Sequence, residues 1–137
     1  MATQIYVNLP VKDLDAAKEF FTRLGFSVNA EFTDENASCV VLDEAINVML
    51  LTEPFFKNFT GKEIADASRV TEVITALGVE SRERVDEVCD KALAAGATPS
   101  KEPMDEGWMY SRSFQDLDGH LWELVSVDVE AMRAAQS

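Results

Sequence analysis

Two stretches of the chain carry the side chains best able to do chemistry. In SFQDLDGHLWELV, residues 113–125, strand alternation puts Leu121, Glu123 and Val125 on one side. A carboxylate among apolar neighbours is desolvated, which raises its pKa and suits it to general acid or base work. The competing reading makes Glu123 a structural acid hydrogen-bonded to Tyr6 or Arg112, because a buried carboxylate needs a partner whether or not it reacts. In EGWMYSRSF, residues 106–114, a strand would place Trp108, Tyr110 and Arg112 on a shared face. An aromatic pair beside a cation suits an anionic or planar ligand; equally, it suits a packed sheet face on which Arg112 neutralises Glu123.

The remaining reactive types offer less. His120, the single histidine, falls in the turn an odd number of residues before Glu123. Alternation points it to the opposite face, as a structural or solvent-facing turn residue. Cys39 and Cys89 have no CxxC spacing and no neighbouring histidine, so both are expected to be small, inert core residues.

The elements that position these groups follow from composition and pattern. A chain of 137 residues with 47% hydrophobic content fits a single domain with a real core. Its longest apolar stretches fall well short of the ~20 residues that a bilayer span needs, so no membrane association is expected. The start MATQIYV has neither the basic end nor the apolar core of a secretory signal, and a cytoplasmic location is expected. Twenty-five acidic against twelve basic residues give a formal charge of −13, which repels a phosphate backbone and argues against nucleic acid as a partner.

The pattern repeats itself. Residues 5–11, IYVNLPV, form a strand, Asp13 can cap a helix with Leu14, Ala17, Phe20, Phe21 and Leu24 on its apolar face, and Gly25 ends it. Downstream, VITALGV at 73–79 is followed by a cap at Ser81, by Val85, Val88, Cys89 and Ala92 at helical spacing, and by Gly96. Val79 matches Val11 at an offset of 68 (79 − 11). The hairpins VVLDEAINVMLLT at 40–52 and SFQDLDGHLWELV at 113–125 match at 73, which sets Asp43 on Asp116 and Leu50 on Glu123. The expected architecture is α+β: two βαβββ modules, about 4–53 and 72–127, a connector 54–71 and a tail 128–137. Pairing the two sheets would leave a central cavity, with Tyr6 and Asn8 on one lining strand and Val48 and Leu50 on another. The connector gathers Phe55, Phe56 and Phe59, which suit a cavity plug, a lid, a subunit contact or ordinary packing. The tail reads as a short helix able to pack on a neighbouring subunit.

The opening NLPVKDLDAAKEFFTRLGF and the closing RSFQDLDGHLWELV resemble the two ends of vicinal oxygen chelate proteins, the glyoxalase, bleomycin-resistance and extradiol dioxygenase superfamily. The DxDG turn leading into a strand with an inward glutamate is the more specific part. The resemblance implies paired βαβββ modules, often dimeric, and in many members a divalent metal held by four side chains. By the offsets above those positions are Tyr6, Leu50, Ile74 and Glu123. Leu50 and Ile74 cannot ligate, Tyr6 is a poor ligand unless ionised, and one carboxylate does not hold a catalytic metal. The expectation is therefore a metal-independent module, without cofactor, that binds a small organic molecule and forms a homodimer. The alternative is a lyase or dioxygenase-type enzyme, like a lactoylglutathione lyase, using Glu123 as base or metal ligand. Whether the chain is catalytic stays open at this level. The expected site comprises Glu123 with Tyr6, Asn8, Leu50, Ile74, Trp108, Tyr110 and Arg112.

Overall fold

Alternation and helix grammar produce the expected elements. The computed structural model describes residues 3–136. Its first unit contains β1 (Ile5–Val11), α1 (Leu14–Arg23), β2 (Ser27–Asn29), β3 (Ala37–Asp43), β4 (Ile46–Thr52) and the short helix α2 (Glu53–Phe56). The strands lie in the order β1-β4-β3-β2, with β1 parallel to β4 and the rest antiparallel. The second unit contains β5 (Ile74–Gly78), α3 (Arg82–Ala94), β6 (Thr98–Pro99), β7 (Met104–Asp105), β8 (Met109–Gln115), β9 (Leu121–Val127) and α4 (Val129–Gln136). Its order, β5-β9-β8-β6, repeats the first, and β7 is an added two-residue strand that also pairs with β8. The chain divides into two compact units between Asp66 and Ala67, inside the segment read as a connector. Among the described residues, no helix is long and apolar enough to cross a membrane.

The helix boundaries follow the signals in the sequence. Asp13 accepts the Ala16 N–H and Ser81 accepts the Arg84 N–H, so each cap satisfies a backbone donor that the first turn leaves open. The apolar stripe Ala17, Phe20 and Phe21 of α1 is buried, as are Val85, Val88, Cys89 and Ala92 of α3. In the second sheet the face toward α3 carries Phe114, Trp122 and Leu124, all but inaccessible to solvent. The tail forms the expected helix α4. In the connector, the rings of Phe55 and Phe59 meet edge-to-face at 5.2 Å, while Phe59 stays 68% exposed.

Two polar assemblies fix the second unit. The first joins α3 to β8: the Tyr110 hydroxyl donates to Asp86 Oδ1 at 2.7 Å, and Arg112 donates to Asp86 and to Asp90 at 2.9 Å each. The Arg82 guanidinium stacks over the Tyr110 ring at 4.3 Å and also pairs with Asp105. The hydrogen bond from Tyr110, followed by that from Arg112, holds the Asp86 carboxyl below its ordinary range. The second assembly is the β8–β9 turn. Buried Asp116 accepts the Asp118 and His120 backbone N–H groups and the Trp122 indole N–H, each at 3.0 Å. Burial pushes its carboxyl up, against the lowering by His120 and these donors. Gly119 closes the turn at φ +92°, and a Cβ there would stand 2.7 Å from the Ala67 carbonyl oxygen.

Two predictions follow from these assemblies. Asp116→Ala strips three donors of their acceptor and should destabilise the fold by roughly 2–4 kcal/mol, and Gly119→Ala by about 2 kcal/mol or more. Urea titration read by tryptophan fluorescence measures both; a change within about 0.5 kcal/mol in either variant contradicts the turn's role. Asp86 supplies the pH dependence. Because its folded pKa lies below the unfolded one, its contribution is present above the ordinary carboxylate range and fades as pH falls through the folded value. The stability gap between wild type and Asp86→Asn should hold steady near neutrality and narrow in acid; a gap independent of pH contradicts the pairing.

Candidate functional site: the sheet face around Glu123

The registers of β5, β9 and β8 define a face turned away from α3. Glu123 lies at its centre, paired with Ala76 on one side and Ser113 on the other. The next row toward the chain end of β9 is Gly78, Val125 and Ser111, and the row before it is Ile74, Leu121 and Gln115. Residues paired across a ladder share a face, so these nine residues form one patch with the carboxylate in its middle. Ile74 is 56% exposed, and Ala76 and Gly78 are also open to solvent. Glu123 itself is half-exposed. Among the described residues, no hydrogen bond or salt bridge engages its carboxylate.

That absence removes the reading in which Tyr6 or Arg112 partners the acid. The Tyr6 hydroxyl donates to Gln4 Oε1 at 2.6 Å, and Arg112 is committed to Asp86 and Asp90. Arg112 pairs across the ladder with Leu124, one position from Glu123, and therefore projects from the opposite face. The expectation that Arg112 neutralises Glu123 is corrected: its partners are on α3. Tyr110 shares that helix-side face, so the aromatic–cation clasp is a joint between helix and sheet. Trp108 precedes β8 and is not on the strand; its carbonyl accepts the Asp128 N–H at 2.7 Å.

The first unit shows the same grid with a different centre. Tyr6, Asn8 and Pro10 on β1 pair with Asn47, Met49 and Leu51 on β4. Leu50 pairs instead with Leu9 and lies with Val48 on the opposite face, where both are fully buried. The expectation that Leu50 shares a face with Tyr6 and Asn8 is therefore corrected. The cause is a one-residue slip in the hairpin match. The pairs Val41–Asn47 and Gln115–Leu121 correspond at an offset of 74 (115 − 41), not 73, so Met49 is the counterpart of Glu123. The offset of 68 between the first strands stands, because Tyr6–Asn47 and Ile74–Leu121 are corresponding pairs. Tyr6 and Asn8 are exposed, and the Asn8 side chain donates to the Tyr6 carbonyl at 3.1 Å.

The family metal can now be tested against the donors present. The corrected positions carry a phenol, a thioether, an alkyl chain and one carboxylate, from Tyr6, Met49, Ile74 and Glu123. Zinc and its neighbours require imidazole, thiolate or carboxylate from several residues, so this set does not fit. Among the described residues, no group of three or more His, Cys, Asp or Glu could hold a metal ion. His120 remains in the turn, where its N–H and carbonyl both bond to Asp116. The thiols match an inert reading. Cys39 and Cys89 are buried and free, and burial pushes both up, Cys89 to about 11.

Sequence reasoning missed the acids that hold Arg112 and the polar side chains beside Glu123. Asp86 and Asp90 stand four apart on a helix, a spacing that presents both to one side and could have flagged a cation on the packed strand. Ser113 and Gln115 could be found only once the register was known.

Known proteins place this arrangement in a family. The family model described as the Glyoxalase/Bleomycin resistance protein/Dioxygenase superfamily matches residues 3–124. A hypothetical protein, SA1046, from S. aureus has a similar structure, with TM-score 0.77 and 28% identity over 92% of this chain and 94% of that one. A glyoxalase/bleomycin resistance protein/dioxygenase family enzyme from Burkholderia phytofirmans PsJN matches with TM-score 0.74 and 19% identity, over 92% and 99% of the two chains. The genomically encoded fosfomycin resistance protein FosX from Listeria monocytogenes matches with TM-score 0.66 and 20% identity, over 95% and 97%. No curated protein matches the chain. With the repeated sheet order and a family match over nearly the whole sequence, the chain belongs to the Glyoxalase/Bleomycin resistance protein/Dioxygenase superfamily.

Proposed function

We propose that this protein is a metal-independent binding module for a small organic molecule, of the kind that sequesters a compound rather than transforming it. The observation that carries the reading is the state of Glu123: a half-exposed carboxylate with no side-chain partner among the described residues, set among Ala76, Leu121, Val125 and Ser113. A carboxylate kept for stability would be paired, as Asp116 and Asp86 are. One left unpaired on an accessible apolar face is available to something that arrives from solution. The donor set around it argues against the metal-using form of the lyase or dioxygenase alternative.

The assembly that goes with this reading is a homodimer. Strands β1 and β5 are outer strands of their sheets and expose Ile5, Tyr6 and Ile74, side chains that an isolated edge would ordinarily cover or replace with charge. Light scattering after size exclusion should return twice the chain mass; a monomer at micromolar concentration rules the dimer out.

The functional reading is tested by elemental analysis of protein purified without chelator, alongside thermal unfolding against divalent metals and a small-molecule library. We expect substoichiometric metal, a midpoint unmoved by zinc, manganese, nickel or chelator, and stabilisation by organic compounds that Glu123→Gln abolishes. Stoichiometric metal that is lost in Glu123→Gln, or stabilisers found only among the metals, would overturn it.

A further inference from the structure

Resting on that reading, we infer that the molecule taken up on the Glu123 face carries a protonated nitrogen on an apolar body. The face has a single charge, and it is negative. The side chains paired around the carboxylate are small or apolar, and the polar ones, Ser113 and Gln115, are neutral. Four cations of the same unit are engaged elsewhere: Arg112 with Asp86 and Asp90, Arg82 with Asp105, and Arg84 and Lys91 with Glu87. Nothing on the patch offers the carboxylate a counterion.

Charge and geometry together select the ligand class. An anionic ligand would meet Glu123 head-on, within a chain whose formal charge is −13. A neutral ligand would leave a partly desolvated carboxylate without compensation. A divalent ion would need further ligands that the patch does not supply. An ammonium group supplies both the missing charge and N–H donors, and a carboxylate accepts such donors in short, charge-assisted bonds. Ala76 beside Glu123 and Gly78 in the next row are small and exposed, so the head group can approach the carboxylate from the β5 side. Ile74, Leu121 and Val125 offer the attached hydrocarbon an apolar surface.

Three matched probes separate the possibilities: 4-phenylbutylamine, 4-phenylbutan-1-ol and 4-phenylbutyrate, titrated into the ¹⁵N-labelled protein at neutral pH. The amine should shift amides of β5, β8 and β9 and bind about tenfold tighter than the alcohol, with the carboxylate weakest. Glu123→Gln should erase the amine's advantage over the alcohol, and added salt should weaken the amine selectively. If amine and alcohol bind equally, or the amine keeps its preference in Glu123→Gln, the charge inference fails while the binding module stands. If none of the three perturbs these strands at millimolar concentration, both this inference and the assignment of the site to this face fail.

Discussion

The site proposed at Glu123 depends on the pairing of β9 with its two neighbours. A strand offers alternate residues to opposite faces, so one register decides the fate of every side chain along it. With Ala76 and Ser113 opposite Glu123, the acid stands on the face away from α3, and Trp122 and Leu124 are driven into the core. The register is pinned at the turn, where buried Asp116 ties the backbone of Asp118 and His120 to the Trp122 indole. A one-residue slip would bury Glu123 against α3 and expose two of the largest core side chains. The carboxylate is accessible because apolar burial on the other face does not permit that exchange.

The two units share this logic and differ in what it presents. In both, an outer strand runs parallel to the last strand of a hairpin, and one helix follows the first strand. The second unit joins its helix to the sheet by polar contacts, with Asp86 and Asp90 meeting Tyr110 and Arg112. The corresponding part of the first unit is apolar, and there Ser38 keeps a buried hydroxyl with no hydrogen-bond partner among the described residues. At the grid centres, Met49 faces its neighbours as a polarisable apolar side chain where Glu123 brings charge. The duplicated scaffold therefore carries a single acid on its non-helical faces' central positions, which is why a metal cradle has no foundation in these residues.

Much of the fold was legible before any coordinates. Capped helices at Asp13 and Ser81, terminated near Gly25 and Gly96, and the DxDG turn at 116–119 are local signals whose chemistry is complete within a few residues. The repeat that joined them into two modules is a longer version of the same evidence. Strand parity between different parts of the chain was not legible. Matching Asp43 to Asp116 aligned two acids by type, yet ladder pairing shows that Leu42 is the residue at the Asp116 position. A turn residue's identity does not constrain which strand residues meet, and the β3 ladder shifts register between Val41 and Asp43. That slip moved Leu50 onto the wrong face. Tyr110 and Arg112 were misassigned for a related reason: their shared face was evident, but its relation to Glu123 depended on how many residues the turn consumes.

The central claim is that Glu123 offers a lone carboxylate, open to an organic ligand, where a metal-using relative would gather several donors. Anomalous scattering from crystals grown with zinc and manganese puts it to the most direct test, since an ion bound at the acid appears in the map together with whatever holds it. The account predicts no anomalous peak beside Glu123 with more than that one protein ligand. A peak there coordinated by the acid and two or more further side chains would contradict it.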